Sequence, residues 1–242
     1  MSKDCILKVT KDNQRKVNGF QENLFNQVQH FLSEFIPGKI QYLDGLLQSN
    51  TFTVKDLTTL HSELDIPIPD PPAPESEDSS KMETDKEEKK APRCGFLKEN
   101  EKLHKILNTV LPEIRSLREG CALIITWIHH LIPTIEDGND FGVSVQEKVI
   151  ERVTAVKTKV EALQTAIAKY FTERGDAVAK ASKETHVMDY RALVHEKDES
   201  AFVDLRLSLL EVRNYYVEIF DIILKNFEKI TNPKGEEKSP MY

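Results

Sequence analysis

The feature that most narrows the fold of this chain is a repeated alternation of three- and four-residue gaps between apolar side chains. Val149, Val153, Val156, Val160, Leu163, Ile167 and Tyr170 follow the spacing 4, 3, 4, 3, 4, 3. An α-helix sets residues three and four apart on one face, so these positions form a single stripe. The pattern recurs at Leu103, Leu107, Val110, Ile114, Leu117, Cys121, Ile124, Ile128 and Leu131. It recurs again at Phe202, Leu205, Leu209, Val212, Tyr216, Ile219, Ile223, Phe227 and Ile230. A looser stripe runs through Val17, Phe20, Leu24, Val28, Phe31 and Phe35, then Ile40, Leu43 and Leu47. Pro37-Gly38 lies between its two halves and predicts a kink or short break, and Pro112 predicts a bend in the second helix.

Four stripes predict an all-α chain of four long helices, at about 12–49, 99–133, 144–184 and 188–230. A helix with one apolar face must bury it. Four helices joined by short connections do so as an antiparallel bundle crossing at about 20°. An extended coiled coil is the alternative. The 242 residues suffice for a sizeable core, and only 9 are glycine, as long uninterrupted helices require.

Three segments interrupt the pattern. Residues 65–95 hold Pro67, Pro69, Pro71, Pro72, Pro74 and Pro92, and from Pro69 to Arg93 there is no leucine, isoleucine, valine or aromatic residue. Such a segment has too little apolar area to offset its ordering entropy and reads as a disordered linker. Residues 135–143, Ile-Glu-Asp-Gly-Asn-Asp-Phe-Gly-Val, read as a tight non-helical turn. Residues 231–242 leave the last helix through Asn232-Pro233 and read as a flexible tail ending in Met241-Tyr242.

The formal net charge of −7 argues against sequence-independent binding to nucleic acid, which relies on basic side chains, and against adsorption to an anionic membrane. The three cysteines, Cys5, Cys94 and Cys121, are odd in number and lack C-x-x-C spacing, which points to a reducing compartment, cytosol or nucleus. The N-terminal residues lack the apolar core of a signal peptide, and the apolar run 121–135 is too short to span a bilayer.

The chain offers no catalytic constellation, with no G-x-S-x-G, P-loop or H-E-x-x-H motif. Adjacent His129 and His130 point about 100° apart on a helix and are poorly placed to chelate one ion. His186 and His195, nine apart with Asp189 between them, read as a solvated helix entry rather than a metal site. The run from Asp137 to Lys148 fails as a calcium loop, because position five is Phe141 and position twelve is Lys148. No cofactor, metal or catalytic residue is therefore expected. Two features exceed what a plain bundle needs. A helix-to-helix turn accounts for the glycines of 135–143 but not for Phe141 between Asp140 and Gly142. The tail either frays or presents its terminal carboxylate to a pocket in a partner.

These segments also carry a family likeness. Residues 135–149, Lys169-Tyr170-Phe171-Thr172-Glu173-Arg174-Gly175-Asp176-Ala177-Val178, residues 186–196 and Asp65-Ile66-Pro67-Ile68-Pro69-Asp70-Pro71 resemble the 11S proteasome activators over essentially the whole chain. The tail Pro233-Lys234-Gly235-Glu236-Glu237-Lys238 with terminal Met241-Tyr242 resembles the beta type of that family, whereas Asp221–Lys229 looks more like the alpha type. The resemblance implies four-helix subunits packed side by side in a heptameric ring that caps the 20S proteasome, beta subunits mixing with alpha subunits. It implies that Ser239, Pro240, Met241 and Tyr242 dock between the barrel's outer subunits. It implies too that Asp137, Gly138, Asn139, Asp140, Phe141 and Gly142 act on the gate, with Asn139 at a loop position important for activation. Peptides would then pass without ATP, in a system associated with antigen presentation. A scaffold protein with an incidental loop and tail is the competing reading.

Overall fold

The computed structural model describes residues 9–68, 95–134, 138 and 140–235. Five α-helices, α1 (Lys11–His30), α2 (Ile36–Gln48), α3 (Glu101–Leu131), α4 (Phe141–Lys183) and α5 (Met188–Thr231), account for most of it, and the described residues contain no strand. A π-helical turn, Phe31–Phe35, joins α1 to α2, so helical backbone runs unbroken from Lys11 to Gln48. The fold is thus an antiparallel bundle of four long helices, the first of them composite.

Of the kink or short break expected at Pro37-Gly38, no break is present; the irregularity is a π-turn just before it. A proline ring clashes with the carbonyl four residues earlier and cannot donate to it. The π-turn widens the helix just before that point, with the Ile36 N–H donating to Phe31 O, five residues back. One irregular turn therefore accommodates Pro37 where a break would otherwise form. Pro112 likewise lies within a continuous α3.

The chain divides into two compact units. The first comprises Met1–Thr53, Val110–Gln164 and Leu207–Tyr242. Its core is largely the register read from the sequence: Leu24, Val28, Phe31, Leu43, Ile114, Leu117, Ile124, Val153, Val160, Leu209, Tyr216 and Ile223 are all buried, while Ile36, outside that register, is buried and Phe35 and Ile40 are only half-buried. Each buried side chain contributes about 1.5–3 kcal/mol on removal from water. The Phe31 ring stacks on Phe35 at 5.2 Å and faces Tyr216 at 6.5 Å. Cross-helix ion pairs join Lys39 to Glu113 at 2.7 Å and Arg118 to Glu161 at 3.2 Å. The α1 end of the stripe departs from expectation, since Val17 and Phe20 are exposed, as is Phe227 near the end of α5. Phe25, Val28, Leu32, Trp127, Phe220 and Phe227 line an apolar groove of about 410 Å³ there.

The second unit comprises Val54–Thr109 and Thr165–Arg206. A 3-10 turn, Leu57–Leu60, leads into an extended segment whose Ile66 packs with Ala177, Ala181 and Val194. The disordered linker expected over 65–95 is therefore corrected at its first residues, where Ile66 is docked. Ile66 is buried, and its carbonyl accepts from Arg191 at 2.7 Å. Leu64 packs on the same cluster, and composition averaged over thirty residues conceals so short an apolar anchor. Leu97 packs there as well. Residues 69–94, which carry the rest of that linker, lie outside the described residues.

Beneath this segment lies a polar network. Asp198 is fully buried and accepts from Arg174 Nε at 2.7 Å, Tyr170 Oη at 2.8 Å and Asn100 Nδ2 at 2.8 Å. Asn100 also donates to Leu60 O, Arg174 donates to Ser62 Oγ, and His61 meets Glu199 at 2.5 Å while stacking on His195 at 4.2 Å. The carboxylate thus has three donors, the condition under which a buried charge is tolerated. Burial and the neighbouring Asp198 push the Tyr170 phenol well above its usual range, so it stays a donor.

Candidate functional site

The described parts of the turn and of the tail, Gly138 and Asp140 with Pro233 and Lys234, meet at one end of the first unit, where α3 ends, α4 begins and α5 ends. Gly138 has φ +95°, a left-handed conformation that costs a β-carbon-bearing residue, so glycine suits the turn. The turn stops earlier than expected. Phe141, Gly142 and Val143 already belong to α4, because Asp140 ends the loop as the helix cap, its carbonyl accepting from Ser144 N at 2.9 Å. Phe141, at the first helical position, is 70% exposed, an aromatic ring offered to solvent beside Asp140.

The root of the tail packs directly on this helix start. A β-carbon at Gly142 would lie 2.0 Å from the Pro233 carbonyl oxygen, closer than any side chain tolerates, so glycine here permits backbone-to-backbone approach. Lys234 reaches back across the turn, its ammonium donating to Gly138 O at 3.2 Å and lying 3.4 Å from Asp140 Oδ1. One helical turn further in, Gln146 is fully buried. Its side-chain nitrogen donates to Leu131 O at 3.1 Å and to Ile230 O at 2.8 Å. Those carbonyls close α3 and α5 and have no partner within their own helices. A single amide therefore caps two helix ends from the start of a third.

Of the residues singled out by sequence, Gly138, Asp140, Phe141 and Gly142 are brought together with Pro233 and Lys234. Asp137 and Asn139, and the tail residues Ser239, Pro240, Met241 and Tyr242, lie outside the described residues. Sequence reading passed over Gln146. The signal was there: Gly142 and Gln146 continue the 3-4 rhythm of Val149 and Val153 backwards, which places a polar side chain at a core position.

The described residues hold no cluster of histidine, cysteine and carboxylate side chains able to bind a metal, and no described helix is long and apolar enough to cross a membrane. Cys121 is a free, buried thiol, and desolvation pushes it up to about 12, which leaves it unreactive. What the described residues present at this end is the end of a loop, an exposed aromatic ring and the departure point of the terminal peptide.

A helical bundle with such a loop and tail at one end defines a class of binding and regulatory subunit, and known proteins give the class its family. The family model for the C-terminal region of proteasome activator PA28 matches residues 96–240, and that for its N-terminal region matches residues 11–71. The chain belongs to the PA28 family of proteasome activators. It is 59% identical to Proteasome activator complex subunit 2 of Bos taurus over 243 residues, covering all of both chains, and equally to that of Homo sapiens. It is 36% identical to Proteasome activator complex subunit 3 of Gallus gallus, covering 98% of this chain and 99% of the other. The 11S subunit of the Plasmodium falciparum proteasome, PA28, has a similar structure, with a TM-score of 0.75 and 26% identity over 97% of this chain and all of that one.

Proposed function

We propose that this chain is a non-catalytic subunit of a heptameric activator that caps the 20S proteasome, docking by its C-terminal tail and opening the gate with the loop around Asp137–Gly142. The observation that carries this reading is the junction of the two working parts: Lys234, at the tail's root, bonds to Gly138 and Asp140 of the loop. Loop and tail thus leave the bundle at one place, as a device that grips and presses on the same surface requires. The extended likeness to named activator subunits supports the same reading.

Each part has a physical role. One short tail buries little surface and binds weakly, whereas several tails on one ring act at high effective concentration. Gate opening requires that the loop bind the open gate better than the closed one, since a ligand shifts an equilibrium only by its differential affinity. The 59% identity to subunit 2 sequences favours a beta-type chain that shares its ring with alpha-type partners. An odd cysteine count, with Cys121 a free thiol, supports work in cytosol or nucleus.

Peptide hydrolysis by purified 20S proteasome, with the chain and an alpha-type partner added, tests the proposal. Stimulation is expected to be lost on deleting Ser239–Tyr242 and on Asn139→Tyr. If both variants stimulate like the intact chain, the protein is a scaffold with incidental loop and tail. Turnover without any proteasome present would instead reveal an enzyme.

A further inference from the structure

We infer that Gln146 is a positioning residue that makes the loop end and the tail root one rigid foot, so that a docked tail dictates where the loop lies. This rests on the activator reading above and adds a role for a residue buried away from any partner.

A fully buried carboxamide on a helix flank needs a reason, since leucine would fill the same volume without polar atoms to satisfy. The geometry supplies one. The Gln146 nitrogen splits its two hydrogens between the last carbonyl of α3, from which the loop departs, and the Ile230 carbonyl of α5, from which the tail departs. Both chain exits are therefore referenced to one atom on α4. Two flanking contacts act in the same direction: Gly142 lets the Pro233 carbonyl lie against the α4 backbone, and Lys234 ties the tail root to Gly138 and Asp140. If these ties were loose, a tail could dock while the loop sampled many positions, and only a fraction of docked subunits would present it to the gate. Tight ties convert tail docking into loop placement, a preorganisation that serves the opened state.

A core amide serving only stability would behave differently, and the two roles separate by measurement. Activator is titrated into 20S proteasome, with the alpha-type partner present, and half-saturating concentration and maximal stimulation are read independently. Gln146→Leu removes both bonds with little change in volume. It is expected to cut maximal stimulation at least fivefold while half-saturation moves less than threefold and the native mass of the ring is preserved. Hydrogen exchange at the Asn232 and Gly235 amides, protected by bonds to Glu228 O and Asn232 O, is expected to accelerate. Should Gln146→Leu fold poorly, Lys234→Met removes the surface tie without touching the core and is expected to lower the maximum about twofold at unchanged melting temperature. Wild-type maxima in both variants would overturn the inference. So would a fall in maximum that merely tracks loss of ring mass and of melting temperature. If the unmodified chain never stimulates the proteasome, the activator reading fails, and unchanged exchange at Asn232 and Gly235 in Gln146→Leu would then sink the clamp on its own terms.

Discussion

At the scale of single residues, the informative positions are polar side chains standing where the heptad rhythm demands apolar ones. Gln146 continues the stripe of α4 backwards, Arg174 follows Tyr170 by four, and Asp198 precedes Phe202 by four. All three are buried. Removing one member of a buried ion pair leaves its partner's charge uncompensated, typically at a cost of 3–5 kcal/mol. Arg174→Met is therefore expected to lower unfolding free energy by about that amount, whereas Arg174→Met with Asp198→Leu should recover much of it. Urea unfolding of the two variants and of Asp198→Leu alone closes the cycle; equal losses in both backgrounds would show that the pair is not coupled. The neighbouring His195 gives a pH signature. Burial lowers its affinity for a proton first, and the stacked His61 adds to this, while Asp198 and Glu199 oppose and Arg174 reinforces it. With the folded pKa below the ordinary value of about 6.5, the unfolded chain binds more protons in that interval, so stability is full above it and declines as pH falls through it. The urea midpoint of the wild type should drop between pH 7 and pH 5 by more than that of His195→Gln. An identical drop would assign the acid sensitivity elsewhere.

The helices themselves were legible because their periodicity is physical: a stripe at 3.5-residue spacing has no stable home except a helix packed on others. What escaped sequence reading was irregular backbone. Pro37 announces a disturbance but not its form, since a break and a π-turn both relieve the proline clash; packing of Phe31 and Phe35 against Tyr216 selects the turn that keeps those rings on the core side. Ile66 escaped because one residue cannot show a period, and Gly142 because its partner, Pro233, lies far away in sequence. The fit of the π-turn to α3 can be probed at Gly120. A β-carbon there would stand 2.2 Å from Phe31 Cζ, and the ring has nowhere to retreat because Phe35 stacks on it at 5.2 Å. Gly120→Ala should gain about 1 kcal/mol of helix propensity yet lose about 1–3 kcal/mol to overpacking. A net loss in thermal unfolding is expected, and Phe31→Leu in the same chain should reduce it. If Gly120→Ala stabilises the protein, the π-turn and α3 are less closely fitted than the geometry requires.

At the scale of the whole molecule, the proposed division of labour makes loop and tail fail in different ways inside one ring. In the proposed mechanism the tails contribute through multivalency, so each one removed would lower the effective concentration of those that remain. Rings assembled from equal amounts of intact chain and chain lacking Ser239–Tyr242, with the alpha-type partner held constant, should need roughly tenfold or more activator for half-saturation, because avidity compounds rather than adds. In the proposed mechanism the loops act through the open–closed equilibrium of the gate, which their differential affinity would set once the ring is seated. Mixing in Asn139→Tyr chains should therefore leave half-saturation nearly unchanged and lower the maximal rate of peptide hydrolysis in proportion to their share. The bundle's role in both cases is to stay the same shape, and the melting temperature of either mixture should match that of the intact ring. Two titrations that shift the same parameter, whether affinity or maximum, would mean that docking and gate opening are a single event. The loop would then have no function separable from the tail's.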